Sequence, residues 1–351
     1  MGANGEILFV GGYTGDKGGQ GEGIALLRRD PETGVLTRLG VAARTPSPSF
    51  LAQHPSLPVL YAVNEVEGNG TVSAFAVDAD GGLTPLAVQP TGGSDPAHLA
   101  VTADGRFLLV ANYSSGSAAV FPLDAEGVPG ERSDLLDLSG SGPVADRQEG
   151  PHAHMVVPVR DDVLIADLGS DRVWRSRLDR ATGRLTMLSP ALAARPGTGP
   201  RHLRFSPDGA LLLVGELSGT LSWHRPGPGG TLEQAGEIVT TTREVDENYP
   251  SELIVRPDGR FVYVASRGPN TIATFAWDGE SATPVAEVPT DGIWPRHMIL
   301  AGDHLYVTNQ QSHSVTTFRI DAESGVPEQQ GAPTEQPSPT CLLRWTPVET
   351  R

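Results

Sequence analysis

One short phrase recurs along the chain: a proline, a variable residue, a distinctive residue, then an apolar run. It stands at SPSFLAQHP (47 to 55), DPAHLAVTADG (95 to 105), GPRHLRFSPDG (199 to 209), YPSELIVRPDG (249 to 259), WPRHMIL (294 to 300) and SPTCLLRW (338 to 345). A seventh copy, PHAHMVVP (151 to 158), carries His152 where the others carry proline. The register positions 48, 96, 152, 200, 250, 295 and 339 give successive strides of 48, 56, 48, 50, 45 and 44 residues. A period near 50 is that of repeated β-units wheeled around an axis.

The rest of each unit agrees. A second run follows the first, as in VLYAVNE (59 to 65), FLLVANYSSG (107 to 116) and FVYVASRGPN (261 to 270), then a third such as TVSAFAVD, then a fourth such as GGLTPLA or GRLTMLS. These are short β-prone stretches closed by Gly, Asn, Ser or Asp. The spacing therefore predicts one all-β domain over 1–351, a seven-bladed β-propeller with four antiparallel strands per blade. The chain opens on a second strand, ILFVGG, and closes on a first strand, CLLRW. The C-terminal inner strand should thus complete the blade begun by the N-terminal outer strands, leaving no free edge at the ring junction. PDG and ADG turns join first to second strands, their aspartates bonding locally and their glycines taking positive φ. No segment has helical periodicity, so any helix should be a short insert.

Bulk properties exclude several functions. The formal charge of −16 and pI near 4.9 speak against nucleic acid and anionic membranes as partners. Cys341 is the only cysteine, which removes internal disulfides and cysteine-rich metal sites. The N-terminal sequence lacks a basic segment with a long apolar core, and no run of about 18 apolar residues occurs, so the expected setting is the cytoplasm. GGYTGDKGGQG (11 to 21) is Gly-rich, but Lys17 precedes Gly and no helix follows, so it reads as a hairpin loop and not a phosphate loop.

In a propeller the first-strand starts and second-strand ends meet at one mouth of the central channel. The first set supplies His98, His152, His154, Arg201, His202, Glu252, Arg296 and His297; the second supplies Glu65, Asn112, Asp167, Glu216, Arg267 and Asn309. His98, His154, His202 and His297 read as one register position in four blades, and such repetition is what strand-start packing produces. Arg201, Arg296, Glu216 and Arg267 depart from their repeats and are the stronger functional candidates. His152 and His154, spaced i and i+2, would face the same side of a strand, but no third ligand is evident and neither metal nor cofactor is expected.

GPRHL with PDG, then GELSG, ASRG, the HxH followed by ADLGSDRV, and FVGGYTG with GIALLRRDPETGVLTRL together resemble the lactonase family of seven-bladed propellers over essentially the whole chain. That family includes propeller-type 6-phosphogluconolactonases and a related branch of carboxy-muconate lactonising enzymes. The resemblance implies a sugar lactone as substrate, first of all 6-phosphogluconolactone, and a catalytic set of His154 or His152, Arg201, Glu216 and Arg267. His98, His202, Arg296, His297, Asp167 and Glu65 complete the expected binding ring. Where the family commonly carries asparagine before the glutamate and before the last arginine, this chain has Gly215 and Ser266.

Lactone hydrolysis needs a base for water, donors where the carbonyl oxygen gains charge, and a proton for the ring oxygen. A glutamate between two arginines is a poor base, so the expected acid/base is His154, with His152 as alternate, titrating near neutrality. Arg201 and Arg267 would hold the carbonyl oxygen or an anionic substituent, and Glu216 would orient the histidine or the water. Two other readings use the same ring: closure of an unsaturated diacid to a lactone, and a non-enzymatic propeller scaffold presenting a surface to partners.

Overall fold

The computed structural model describes residues 5–348. Seven four-stranded antiparallel sheets stand in a ring, two of them with a short extra strand. Naming each by its inner strand, blade 1 begins at Leu51–Gln53, blade 2 at Pro96–Val101, blade 3 at Ala153–Val159, blade 4 at Pro200–Phe205, blade 5 at Tyr249–Val255 and blade 6 at Pro295–Ala301. Blade 7 pairs the C-terminal strand Pro339–Arg344 with Glu6–Gly12, then Ile24–Arg29 and Leu36–Ala43, so the ring closes as the order of strands in the sequence predicts. Among the described residues the only helical segments are two short 3-10 turns, Gly15–Lys17 and Pro228–Gly230. None of the helices is long and apolar enough to cross a membrane.

Second strands such as Val59–Asn64 and Phe107–Asn112 are buried at every position, unlike the alternating strands of a sheet with one wet face. The reason lies in how the core is divided. Each of the seven apolar clusters straddles two adjacent blades; one, for example, joins Val59, Tyr61 and Val63 of blade 1 to Leu108, Val110 and Phe121 of blade 2. Every blade is therefore packed on both faces, and the ring is held by blade-to-blade burial with no separate centre. The connecting turns behave as expected: Asp104 accepts hydrogen bonds from Thr102 Oγ1 (2.6 Å) and the Arg106 N–H (3.2 Å), and Gly105 and Gly209 have φ of 71° and 88°.

The channel mouth depends on one irregularity repeated around the ring. In blades 2, 5 and 6 a β-bulge inserts an extra residue directly after the register proline: Ala97, Ser251 and Arg296. Blade 4 skips both Arg201 and His202 between the pairs Pro200↔Gly215 and Leu203↔Leu213. A bulge breaks the in–out alternation and re-aims a side chain. Consecutive residues can thus serve the channel, which a regular strand forbids.

Candidate active site

Strand pairing sorts the mouth into tiers. The upper tier is the residue just after the second strand's last residue, and its N–H bonds to the carbonyl of the residue before the register proline. Glu65 bonds to Ser47 (3.0 Å), Tyr113 to Asp95 (2.9 Å), Glu216 to Gly199 (2.8 Å), Gln310 to Trp294 (3.1 Å) and Tyr13 to Ser338 (3.1 Å). Those acceptors all have positive φ, between 33° and 65°, which turns their carbonyls toward the second strand. In blade 3 the same bond runs from the Leu168 N–H to the His152 carbonyl (3.0 Å). His152 therefore takes the position before the proline, Ala153 the proline position, and His154 the bulge position, where Ala153↔Asp167 is followed by Met155↔Ala166.

This corrects the sequence register by one residue. His154 shares its position with Arg201 and Arg296, while Met155 stands level with His98, His202, Glu252 and His297 in a lower tier. The space at the mouth is lined by the bulge set, Ser49, Ala97, His154, Arg201, Arg296 and Thr340, with Glu65 above and Phe50, His202 and His297 below. A cleft of about 300 Å³ at the other rim, near Arg256, Asp258 and Asp303, is lined by no histidine among the described residues.

Glu216 is the hub of the upper tiers. Its Oε2 accepts from Arg201 Nη1 (2.7 Å) and lies 2.7 Å from Arg267 Nη2, and its Oε1 accepts from Arg147 Nη2 (2.6 Å). Burial would raise its pKa, but Arg267, Arg201, His154 and Arg147 together hold it well below the usual carboxylate range. Arg201 is fixed further by Nε to the Ser251 carbonyl (2.8 Å). Arg267 donates from Nε to the Tyr249 carbonyl (3.1 Å), and its guanidinium lies over the Trp294 ring at 5.5 Å. Burial brings the Arg267 pKa down to about 9, so it remains a cation at neutral pH.

His154 Nε2 stands 2.5 Å from Arg201 Nη1. An arginine can only donate, so Nε2 is the acceptor and the imidazole is neutral with its proton on Nδ1. Burial first, then Arg201 and His202, hold its pKa well below the usual histidine value. The expectation that His154 titrates near neutrality is therefore corrected. His152 is differently placed: it stacks on Tyr113 (4.6 Å, 18°), with Nδ1 at the Tyr113 carbonyl and Nε2 at Glu149 Oε1, each 3.1 Å away. Both of its nitrogens are committed at the rim. The expectation that it aligns with His154 along a regular strand fails because the bulge breaks the alternation, and among the described residues no group of three or more His, Cys, Asp or Glu could hold a metal ion.

Asp167 also departs from the expected binding ring. Its carboxylate accepts from the N–H groups of His152 (2.7 Å), Gly169 (3.1 Å) and Ser170 (3.3 Å), from Ser170 Oγ, and from Trp174 Nε1 (2.9 Å). It is fully buried and bound up in closing the turn, as Asn64 and Asn112 are at the same register. The channel-facing position is one residue later, which makes Leu168 the counterpart of Glu65, Tyr113, Glu216, Arg267, Gln310 and Tyr13. Glu65 stays at the mouth, accepting from Tyr13 Oη (2.7 Å). Arg296 lies over the Tyr13 ring at 5.0 Å, and its one hydrogen bond to a described residue is Nη1 to Gln310 Oε1 (3.3 Å).

In the lower tier, Glu252 is fully buried, and its Oε2 lies 3.1 Å from both His202 Nδ1 and His297 Nε2. His98 packs on Phe50 (4.2 Å) and 5.8 Å from His202. Reading the sequence missed Arg147 altogether. The signal was the 56-residue stride before blade 3, whose surplus forms the loop that carries Arg147. That loop is tied down by Gln148, whose Nε2 donates to the Leu168 carbonyl and to Asp171 Oδ1, both at 2.8 Å.

Arginines converging on one carboxylate beside a neutral imidazole, inside a propeller mouth, offer donors of the kind that can hold a carbonyl oxygen as it gains charge. The chain belongs to the lactonase, seven-bladed β-propeller family, whose description matches residues 7–344. It is 33% identical over 347 residues to a 6-phosphogluconolactonase of Bacillus subtilis, covering 96% of this chain and 97% of the relative. A 6-phosphogluconolactonase of Formosa agariphila is 30% identical, with 91% and 93% covered. Among solved structures, a periplasmic gluconolactonase of Pseudomonas aeruginosa superimposes with a TM-score of 0.88 at 30% identity, covering 98% of this chain and 99% of the other. A 6-phosphogluconolactonase described as putative, from Bacteroides fragilis, gives 0.89 at 29% identity and 98% coverage of each.

Proposed function

We propose that this enzyme hydrolyses 6-phosphogluconolactone to 6-phosphogluconate, a step of the pentose phosphate pathway. The observation that carries the reading is the convergence of Arg201 and Arg267 on Glu216 Oε2 with His154 on Arg201. Glu216 keeps the two guanidinium groups together where their mutual repulsion would part them. The lactone carbonyl enters beside them, and their N–H groups stabilise the oxygen as water adds to the carbonyl carbon. His154, accepting from Arg201 at Nε2, orients that arginine. Arg296 takes the phosphate, since it has the fewest hydrogen bonds of the mouth arginines and guanidinium forks suit phosphate oxygens.

The local charge favours an anionic substrate despite the −16 of the whole chain. Arg147, Arg201, Arg267 and Arg296 face two mouth carboxylates, Glu216 and Glu65. A cytoplasmic place of action belongs to the same reading, because a phosphorylated sugar does not cross a bilayer unaided. The test is the disappearance of freshly made lactone, with and without the 6-phosphate, measured against the spontaneous rate and repeated with chelator. Turnover of the phosphorylated form with R201A slower by about two to three powers of ten supports the reading. Equal rates for wild type and R201A, or conversion of an unsaturated diacid to a lactone in preference to hydrolysis, would overturn it.

A further inference from the structure

The histidines around the channel differ in what their ring nitrogens already do. His152 has both committed, to Tyr113 and Glu149. His297 has both committed, Nδ1 accepting the Leu342 N–H (3.3 Å) and Nε2 facing Glu252 (3.1 Å). His154 has its Nε2 lone pair engaged by Arg201 and its Nδ1 sealed from solvent without a partner. His98 likewise has a sealed, unpartnered Nδ1 and no carboxylate to orient it. His202 alone has one nitrogen on a carboxylate and the other open: Nδ1 lies 3.1 Å from Glu252 Oε2, while Nε2 meets no described residue and is not sealed, in a ring that lines the mouth.

We propose that His202, positioned by Glu252, is the acid/base of the lactonase reaction. This rests on the function proposed above and names the group that moves its protons. The tautomers are fixed consistently. His297 Nδ1 accepts from a backbone N–H, so its proton sits on Nε2, 3.1 Å from Glu252 Oε2 without a hydrogen bond to it. The carboxylate accepts the His202 Nδ1–H on Oε2, with Arg204 Nη2 (3.3 Å) and the Leu253 N–H (3.0 Å) on Oε1. Three donors, one of them a guanidinium, on a fully buried carboxylate favour its ionised form. With its proton held on Nδ1, His202 presents an Nε2 lone pair to the reaction space, and the carboxylate steadies the imidazolium that forms.

The bulge supplies the geometry. Arg201 and His202 are consecutive, yet both serve the channel because blade 4 skips both between Pro200 and Leu203. The oxyanion donor and the base thus sit side by side on one rigid strand, one tier apart. Water gives a proton to His202 Nε2 as its oxygen bonds to the carbonyl carbon. The tetrahedral oxyanion is held by Arg201 and Arg267. As it collapses, the ring C–O bond breaks and the imidazolium returns the proton to the departing ring oxygen. The product is the open hydroxy acid, which ionises into solvent.

The groups facing His202 are Glu252, Arg201, Arg204, His98, His154 and His297. Burial lowers its pKa and Glu252 partly restores it, so the acid limb of kcat/KM should fall below pH 6.5. The test compares H202N, H154N and E252Q with 6-phosphogluconolactone, each variant first checked for a cooperative melt. Asparagine keeps a donor near the Nδ1 position, so H202N preserves the bond to Glu252 while deleting the base. The expected result is a drop in kcat of about two to four powers of ten and loss of the acid limb in H202N. H154N should keep the limb, and E252Q should move it to lower pH. A full rate in H202N, or loss of the limb in H154N alone, overturns the assignment. Wild-type turnover is the separate control: its absence would defeat the lactonase reading itself, while its presence with an active H202N defeats only His202.

Discussion

Arg147 and Glu216 stand 69 residues apart in the chain, yet Arg147 Nη2 meets Glu216 Oε1 at 2.6 Å. Glu216 is thereby held from three sides, by Arg201 and Arg267 on Oε2 and by Arg147 on Oε1. Arg147 is the one that remains about a third exposed, at 35%. Removing it leaves the carboxylate with two cationic partners, so the fold should persist while the arginine pair loses its setting. R147A is expected to lower kcat/KM about tenfold, in keeping with one hydrogen bond to a charged group. Steady-state kinetics beside a thermal melt checks both halves, and an unchanged kcat/KM would refute the role.

Arg296 gives a prediction about specificity. Its side chain lies over Tyr13 and makes a single hydrogen bond among the described residues, to Gln310. If those spare donors receive a phosphate, R296Q should raise KM for the phosphorylated lactone by roughly tenfold to a hundredfold. KM for gluconolactone without phosphate should stay within about threefold. The ratio of the two substrates is the measurement. Equal losses on both would mean that Arg296 serves the lactone ring and not the phosphate.

The repeat made the fold legible because a propeller copies one supersecondary unit, so spacing and strand order fixed both blade count and closure. That Arg201, Glu216 and Arg267 meet at one mouth was legible for the same reason: the repeat places first-strand starts and second-strand ends together. What misled was a shift of a single residue in register. A bulge is invisible in hydrophobic patterning, so His154 was read level with His202 when it stands one tier higher. Asp167 was read as a channel group when its carboxylate closes a turn, because turn-capping and channel positions differ by a single residue. Arg147 could not be seen at all, since a loop's path across the mouth is a tertiary property.

Acidification should destabilise the protein in two stages. The buried histidines His98, His154, His202 and His297 all have pKa values lowered chiefly by burial, that of His297 to about 4. Such groups take up protons more readily when unfolded, so stability is complete above about pH 6.5 and declines as pH falls toward the folded values. Glu216 and Glu252 have pKa values lowered by their cationic partners against the effect of burial. Their contribution is complete above about pH 4.5 and is lost below it. Urea midpoints measured from pH 8 to pH 4 should be flat above pH 6.5 and fall steadily beneath it. In H297N, which removes one such group, the slope between pH 6.5 and 4 should be shallower, and an identical slope would refute the linkage.

The last blade puts the ring closure to a direct test. Pro339–Arg344 pairs with Glu6–Gly12, as in Leu8↔Arg344 and Val10↔Leu342, joining strands from opposite ends of the chain. Its side chains also feed both neighbouring cores, Cys341 and Trp345 toward blade 1 and Leu342 toward blade 6. Losing residues 338–351 would open an edge on Glu6–Gly12, uncover two inter-blade clusters and remove Thr340 from the mouth. That truncation should give aggregated or molten protein. L342A is the graded version: Leu342 is 2% exposed, and its truncation should cost about 2 to 5 kcal/mol with the assembled ring retained. Chemical denaturation reads that loss. Because every blade leans on both neighbours, a single cooperative transition at lower denaturant is expected, whereas a separate early step confined to blade 7 would show that the closing strand is an appendage and not part of the ring's stability.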